Sequence, residues 1–79
     1  MKTVLLFSAE WCKTCNGVDI IVKNLCEKYN YNYKYCNADD SAELLNEYEI
    51  SQLPSIIFLS NDIPYKTILY HPELEKDFL

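Results

Sequence analysis

Two cysteines separated by two residues carry the most specific chemistry in the sequence. They lie in the segment Trp11-Cys12-Lys13-Thr14-Cys15, where an apolar stretch ends and a helical pattern begins. A cysteine at a helix N-terminus faces free backbone N–H groups and the positive end of the helix dipole, and both favour the thiolate. We therefore expect Cys12 to be a nucleophile, with the Lys13 ammonium lowering the pKa of its thiol further. Cys15, one turn later, is expected to attack a mixed disulfide formed on Cys12.

The other two cysteines and the one histidine leave alternative interpretations open. Cys26 falls on the apolar face of the first predicted helix, where a cysteine behaves as a small buried hydrophobe. Cys36 lies in a predicted strand and alternates away from a row of tyrosines. A Cys26–Cys36 disulfide is one alternative, and a zinc site that adds His71 to the cysteines is another. The sequence has no second CxxC pair and no histidine pair at zinc-finger spacing, which argues against zinc.

Hydrophobic spacing predicts the elements that must position these residues. Apolar residues run continuously over 4–7, recur every three or four positions over 18–29 and alternate with polar ones over 31–36. These patterns indicate a buried strand, a helix that starts at Cys12 or Thr14, and a second strand. A short helix, two strands joined as a hairpin and a last helix follow, over 42–48, 55–59, 65–70 and 73–79. The order β-α-β-α-β-β-α predicts an α/β fold with a mixed four-stranded sheet flanked by three helices.

Length and charge exclude several classes of protein. A chain of 79 residues is expected to form one domain over 1–79. Its net charge of −5, with no arginine, offers no cationic surface for nucleic acid or anionic lipid. No apolar run approaches the ~20 residues of a membrane-spanning helix, and we expect the first seven residues to form a strand rather than a signal peptide. The expected location is the cytoplasm, where thiols stay reduced and cysteines are more often catalytic than structural.

A second motif lies about forty residues after the cysteine pair. Residues 50–55, Ile-Ser-Gln-Leu-Pro-Ser, lead directly into an apolar strand. A Trp-Cys-x-x-Cys segment after an apolar strand, followed by this motif, resembles the thioredoxin/glutaredoxin superfamily, and the preceding Ala-Glu is closest to thioredoxins. The resemblance covers nearly the whole chain and implies a minimal thioredoxin fold. It also implies that a cis peptide bond precedes Pro54 beside the thiols. The Leu53 backbone would then bind an extended peptide or glutathione, and Trp11, Lys13 and Thr14 would complete the binding surface.

The same resemblance implies a thiol–disulfide oxidoreductase with no metal and no tightly bound cofactor. Its substrates would be disulfide-containing proteins, of which ribonucleotide reductase is one example. Its electrons would come from thioredoxin reductase or from glutathione as a co-substrate, and we expect a monomer. Two alternatives are a glutathione-dependent glutaredoxin and a non-catalytic thioredoxin-like binding module.

Three positions depart from the family pattern. Lys13-Thr14 stands where thioredoxins usually have Gly-Pro and glutaredoxins Pro-Tyr. Leu6 stands six residues before the first cysteine, where thioredoxins usually have a buried aspartate, so proton transfer would depend on water, Glu10 or Lys13. Residues 70–73, Tyr-His-Pro-Glu, lack the glycine followed by acids that glutathione-binding glutaredoxins usually show. This last departure weakens the glutathione assignment.

Overall fold

A computed structural model describes all 79 residues and places four strands in one mixed sheet. Strands β1 (Lys2–Ser8), β2 (Asn32–Asn37), β3 (Ser55–Ser60) and β4 (Ile63–Leu69) lie in the order β2-β1-β3-β4. β1 runs parallel to β2 and antiparallel to β3, and β3 forms a hairpin with β4. The predicted mixed four-stranded sheet is confirmed.

The helical segments are two α-helices and three 3-10 helices. The α-helices are α1 (Val18–Tyr29) and α2 (Ala42–Glu47), and the 3-10 helices cover Lys13–Cys15, Ala38–Asp40 and Leu74–Phe78. The predicted third α-helix is therefore a 3-10 helix of five residues. A segment this short cannot stabilise an α-helix by its own hydrogen bonds, so packing of its apolar side chains decides its shape. No helix is both long and apolar enough to cross a membrane.

The first α-helix begins later than the sequence pattern predicts. Gly17 adopts a left-handed backbone conformation (φ 79°, ψ −9°) directly before Val18. A left-handed residue cannot continue a right-handed helix, so the chain breaks between the 3-10 helix Lys13–Cys15 and α1. The prediction of one helix starting at Cys12 or Thr14 is wrong. At the other end, left-handed Asn30 terminates α1, and the Tyr31 N–H donates to the Cys26 carbonyl at 2.8 Å.

The sheet separates two hydrophobic cores. On one face, β1 and β3 pack against α1 and the last 3-10 helix; this core consists of Val4, Leu6, Val18, Val22, Cys26, Ile56, Phe58, Leu74 and Phe78. On the other face a smaller core of Leu5, Phe7, Cys36, Ile57 and Leu59 lies beneath α2 and the loop that follows it. Because successive strand residues point to opposite faces, the two central strands must be apolar at every position. That requirement explains the continuous apolar runs in β1 and β3.

Polar side chains fasten the last 3-10 helix to the rest of the fold. The Lys28 ammonium and the Tyr29 hydroxyl both donate to the Glu75 carboxylate. The hydrogen bond from Lys28, followed by that from Tyr29, holds the pKa of Glu75 below its ordinary value. His71 lies 2.6 Å from the Asp77 carboxylate, which also accepts from Lys66. His71 thus helps to attach the C-terminal segment, and its hydrogen-bond partner is Asp77 rather than a cysteine.

Candidate active site

The Cys12–Cys15 pair lies immediately after β1, on the first 3-10 helix. The two residues are joined by a disulfide, with their Cα atoms 5.3 Å apart. The Cys12 N–H donates to the Ala9 carbonyl, and the Cys15 N–H donates to the Cys12 carbonyl, each at 3.2 Å. Cys15 is only 4% exposed, whereas Cys12 is partly exposed. A partner can therefore reach Cys12 more easily than Cys15, although the roles of attacking and resolving sulfur stay predictions.

The break at Gly17 changes the electrostatic setting expected for Cys12. Cys12 precedes a 3-10 helix of three residues, not the twelve-residue helix α1. The field of a helix dipole is strongest within the first turn, so α1 itself provides less stabilisation of a Cys12 thiolate than the sequence pattern suggested. Thr14 is the side chain in contact with the sulfur, with its Oγ1 3.3 Å from Cys12 Sγ. Lys13 is exposed and hydrogen-bonds neither sulfur.

The second motif lies directly beside the disulfide. The Leu53–Pro54 peptide bond is cis, as the resemblance implies, and Pro54 is buried. The loop is fixed on both sides, because Ser55 Oγ donates to the Gln52 carbonyl and the Tyr70 N–H donates to the Pro54 carbonyl. Thr14 Oγ1 lies 3.4 Å from the Leu53 carbonyl oxygen, which joins this loop to the cysteine turn.

Trp11, the residue before Cys12, forms one wall of a hollow. Its side chain is 67% exposed, and its indole Nε1–H donates to both carboxylate oxygens of Asp39, at 3.0 and 3.1 Å. The hollow has a volume of about 280 Å³, and its apolar lining comes from Trp11, Ala38, Leu45, Ile50 and Leu53. This arrangement can hold an apolar side chain of a partner beside Cys12.

Asp39 is a site residue that sequence reasoning missed. It lies in the 3-10 helix Ala38–Asp40, where its backbone N–H donates to the capping side chain Asn37 Oδ1 at 2.9 Å. The available signal was topological: β1 and β2 are parallel, with Ser8 opposite Asn37, so the loops after both strands meet at one edge of the sheet. Asp39 thereby reaches Trp11 across 28 residues of sequence.

Comparison with known proteins identifies the family. The family model described as Thioredoxin matches residues 1–77. The chain belongs to the thioredoxin family. Thioredoxin-1 of Drosophila yakuba is 33% identical over 61 residues, which cover 75% of this chain and 57% of that protein. The thioredoxin of Mycoplasmoides gallisepticum is 30% identical over 61 residues, or 76% of this chain and 61% of that protein. The chain thus spans less than two thirds of the length of these curated relatives.

Solved thioredoxin structures share the fold. The reduced thioredoxin of Schistosoma mansoni superposes with a TM-score of 0.83 at 25% identity, covering 99% of this chain and 79% of that one. The thioredoxin of Fasciola hepatica superposes with a TM-score of 0.86 at 18% identity, covering 98% and 77% of the two chains. The predicted thioredoxin fold is confirmed.

Beneath the disulfide, this member of the thioredoxin family has no buried carboxylate at the expected position. Leu6 is fully buried within the larger apolar core. Two carboxylates, Glu10 and Asp19, lie instead around a second, open cavity of about 450 Å³ that reaches both cysteines. Lys13 and Tyr35 also line this cavity. Asp19 and Tyr35 were not singled out from the sequence, because Tyr35 is one of several alternating tyrosines and Asp19 one of several polar helix residues.

The remaining cysteines stand apart from the thioredoxin site. Both are free and buried, Cys26 in the larger core and Cys36 in the smaller one on the opposite face of the sheet. The alternative of a Cys26–Cys36 disulfide is therefore wrong. Burial raises the pKa of the Cys26 thiol to about 11 and also raises that of Cys36, which disfavours the reactive thiolate at both sites. No three histidine, cysteine or acidic side chains come close enough together to hold a metal ion.

Proposed function

We propose that this protein is a dithiol carrier that reduces disulfide bonds in other proteins. The observation that carries the proposal is the Cys12–Cys15 disulfide beside the Leu53–Pro54 loop, with the more accessible sulfur on Cys12. The hollow at Trp11 supports a protein partner, because it offers apolar surface between the residue preceding Cys12 and the Leu53 loop. Membership of the thioredoxin family supports this function over that of a glutaredoxin.

The reaction follows from the two sulfurs. In the reduced protein the Cys12 thiolate attacks one sulfur of a partner disulfide, which forms a mixed disulfide and releases the partner's other sulfur as a thiolate. Cys15 loses its proton and attacks Cys12 Sγ, so the partner leaves with both thiols and the protein keeps the Cys12–Cys15 disulfide. Two electrons pass to the partner, one of its thiols takes the proton from Cys15, and the other takes a proton from solvent. Both electrons reside in the two sulfurs, so we propose that no tightly bound cofactor is needed.

We further propose that thioredoxin reductase, rather than glutathione, returns the electrons. The relatives named above are thioredoxins, and residues 70–73 lack the glycine expected for a glutathione site. Disulfide-containing proteins are the proposed partners, with ribonucleotide reductase as one such client, and the cytoplasm is the proposed location. Reduction of the disulfide by NADPH and a thioredoxin reductase, measured against reduction by glutathione, tests the donor. Faster reduction by glutathione would contradict it.

Trapping of the mixed disulfide tests the function itself. Cys12→Ser should abolish reduction of a protein disulfide such as that of insulin. Cys15→Ser should leave Cys12 able to attack but unable to release the partner, so mass spectrometry should find a stable adduct on Cys12. Cys26→Ala is the matched control, since it removes a buried thiol that takes no part in the disulfide. This variant should retain turnover per folded molecule. Equal activity of Cys12→Ser and the wild type would rule the function out.

A further inference from the structure

Thr14 lies between the two halves of the candidate site. Its Oγ1 is 3.3 Å from Cys12 Sγ and 3.4 Å from the Leu53 carbonyl oxygen. No other group in the structure hydrogen-bonds Cys12 Sγ. The resemblance places proline here in thioredoxins, and a proline side chain has no proton to donate. The hydroxyl is therefore a property of this chain that the general family pattern does not supply.

A threonine hydroxyl has one proton to give, and here two acceptors are within reach. In the oxidised protein Cys12 Sγ belongs to a disulfide and is a weak acceptor, so the carbonyl oxygen of Leu53 takes the proton. In the reduced protein a Cys12 thiolate carries a full negative charge, and hydrogen bonds to charged acceptors are the stronger ones. Rotation about the Cβ–Oγ1 bond redirects the proton without moving any heavier atom.

The need for such a donor follows from the backbone. Gly17 separates Cys12 from α1, so Cys12 precedes only a three-residue 3-10 helix, and its sulfur accepts no capping hydrogen bond from the backbone of that helix. Lys13 is the nearest cation in the sequence, but it makes no hydrogen bond to the sulfur. Apart from its disulfide partner Cys15, Thr14 is thus the one side chain in contact with this atom and able to donate to negative charge on it.

We propose that the Thr14 hydroxyl stabilises the Cys12 thiolate in the reduced protein and returns to the Leu53 carbonyl when the disulfide forms. The proposal rests on the proposed function, in which reduced Cys12 is the nucleophile. When a dithiol reductant delivers two electrons, the S–S bond breaks, Cys15 takes a proton and Cys12 remains as the thiolate that accepts from Thr14. The Leu53 carbonyl is then free to accept an N–H of a partner peptide, so the same proton links redox state to peptide binding.

The pH dependence of Cys12 alkylation tests the proposal. The reduced wild type, Thr14→Val, Thr14→Ser and Thr67→Val are treated with iodoacetamide across a pH series, and mass spectrometry gives the rate at Cys12. Loss of a hydrogen bond to a charged group should raise the Cys12 pKa in Thr14→Val by about one unit. Thr14→Ser keeps the hydroxyl and should stay within about 0.3 units of the wild type. Thr67→Val makes the same chemical change on exposed β4 and should shift nothing.

Two results would overturn the role of Thr14. Either Thr14→Val titrates with the wild type, or Thr14→Ser shifts as far as Thr14→Val, which would mean that side-chain shape matters and the hydroxyl does not. Thr14→Ala serves as a second hydroxyl-free variant, and circular dichroism establishes that each variant is folded. Turnover of a protein disulfide by the wild type is measured separately. Its absence would contradict the proposed function, whereas the alkylation series still decides what Thr14 does to Cys12.

Discussion

Trp11 is the most exposed aromatic side chain of the site, and a residue from a different loop holds it in place. Asp39 accepts the indole N–H with both carboxylate oxygens. An exposed tryptophan that rotated freely would lose conformational entropy on meeting a partner, and a fixed one avoids part of that loss. Under the proposed function, the Asp39 contact therefore acts on binding, whereas Cys12 and Cys15 carry the chemistry.

Removing this carboxylate should weaken binding without changing the sulfur chemistry. We expect Asp39→Ala to raise the KM for a protein disulfide about fivefold, the effect of one ordinary hydrogen bond, with kcat nearly unchanged. Steady-state kinetics with a protein disulfide measures both constants. Asp40→Ala is the matched control, because the Asp40 carboxylate is also exposed, is next to Asp39 in the sequence and makes no hydrogen bond to Trp11. A KM that rises equally in both variants would show that overall charge, and not the indole contact, is responsible.

At the scale of elements, the boundary between the cysteine turn and α1 depends on one backbone angle. Gly17 has a φ of 79°, yet no atom outside residues 16–18 lies within 4 Å of the position that its Cβ would occupy. Space is available for a side chain, so the requirement for glycine comes from the backbone alone.

The loss of stability on substituting Gly17 should depend on how well the new residue adopts a left-handed backbone conformation, and not on its size. Gly17→Ala should lower the free energy of unfolding by about 1–2 kcal/mol, because an L-residue resists the left-handed conformation. Gly17→Asn, although larger, should lower it by less, since asparagine tolerates that conformation better. Urea denaturation monitored by circular dichroism gives both values. A greater loss for asparagine than for alanine would instead indicate a steric requirement.

The attachment of the C-terminal 3-10 helix should be sensitive to acid. Glu75 has a lowered pKa in the folded protein, so its ionised form stabilises the fold above its unfolded pKa of about 4.3, and this contribution is lost as pH falls through the lower folded value. We expect wild type to melt at a higher temperature than Glu75→Gln at pH 7. The difference should shrink below pH ~4 and vanish near pH ~2.

Thermal melts of both proteins across this pH range measure the effect. Glu73→Gln is a suitable control, because its partner Lys76 is three residues away in the same segment and so does not tie that segment to α1. A constant difference between wild type and Glu75→Gln at every pH would contradict the assignment to ionisation.

At the scale of the whole molecule, stability depends on two thin cores that share one sheet. Phe58 is fully buried on β3, where its ring meets Tyr31 and Phe78 edge to face, with centroids 6.3 and 5.2 Å away. A domain of 79 residues has a total stability of roughly 4–12 kcal/mol. One large core side chain is therefore a considerable part of the total.

Truncation of this ring should come close to unfolding the protein. Phe58→Ala should cost about 3–5 kcal/mol, and Phe58→Leu, which leaves a smaller cavity, should cost less. Urea denaturation of both variants measures the loss. If Phe58→Ala lost less than 1 kcal/mol, the ring would not be part of a close-packed core.

The sequence predicts much of the fold because its strongest patterns report burial. The continuous apolar run in β1 marks a strand covered on both faces, and the spacing along α1 marks one buried stripe. Gly17 was missed because the helical spacing continues on its C-terminal side, and a single glycine inside a helical pattern is usually tolerated. The break in the helix at Gly17 becomes visible only in the structure, from the positive φ of that residue.

The residues of the candidate site also fall into two groups, those that the sequence predicts and those that only the structure shows. Cys12, Cys15 and Pro54 belong to local motifs with a chemical reason for their spacing, so sequence reasoning finds them. Tyr35 reaches the site from strand β2, and Asp39 reaches it from the 3-10 helix that follows, through the pairing of β1 with β2. Contacts between distant segments depend on register, and no single segment carries that information.

The distribution of the four sulfurs also limits unwanted chemistry. Cys26 and Cys36 are buried on opposite faces of the sheet with raised thiol pKa values, and Cys15 is almost covered. To an oxidant or an alkylating agent in solution, the reduced protein therefore presents essentially one thiol, Cys12. Scrambled disulfides and disulfide-linked aggregates need at least two accessible thiols per chain. A chain with four cysteines thus reacts with other molecules as if it had a single thiol. Disulfide-linked oligomers of the reduced protein can therefore grow no further than a dimer.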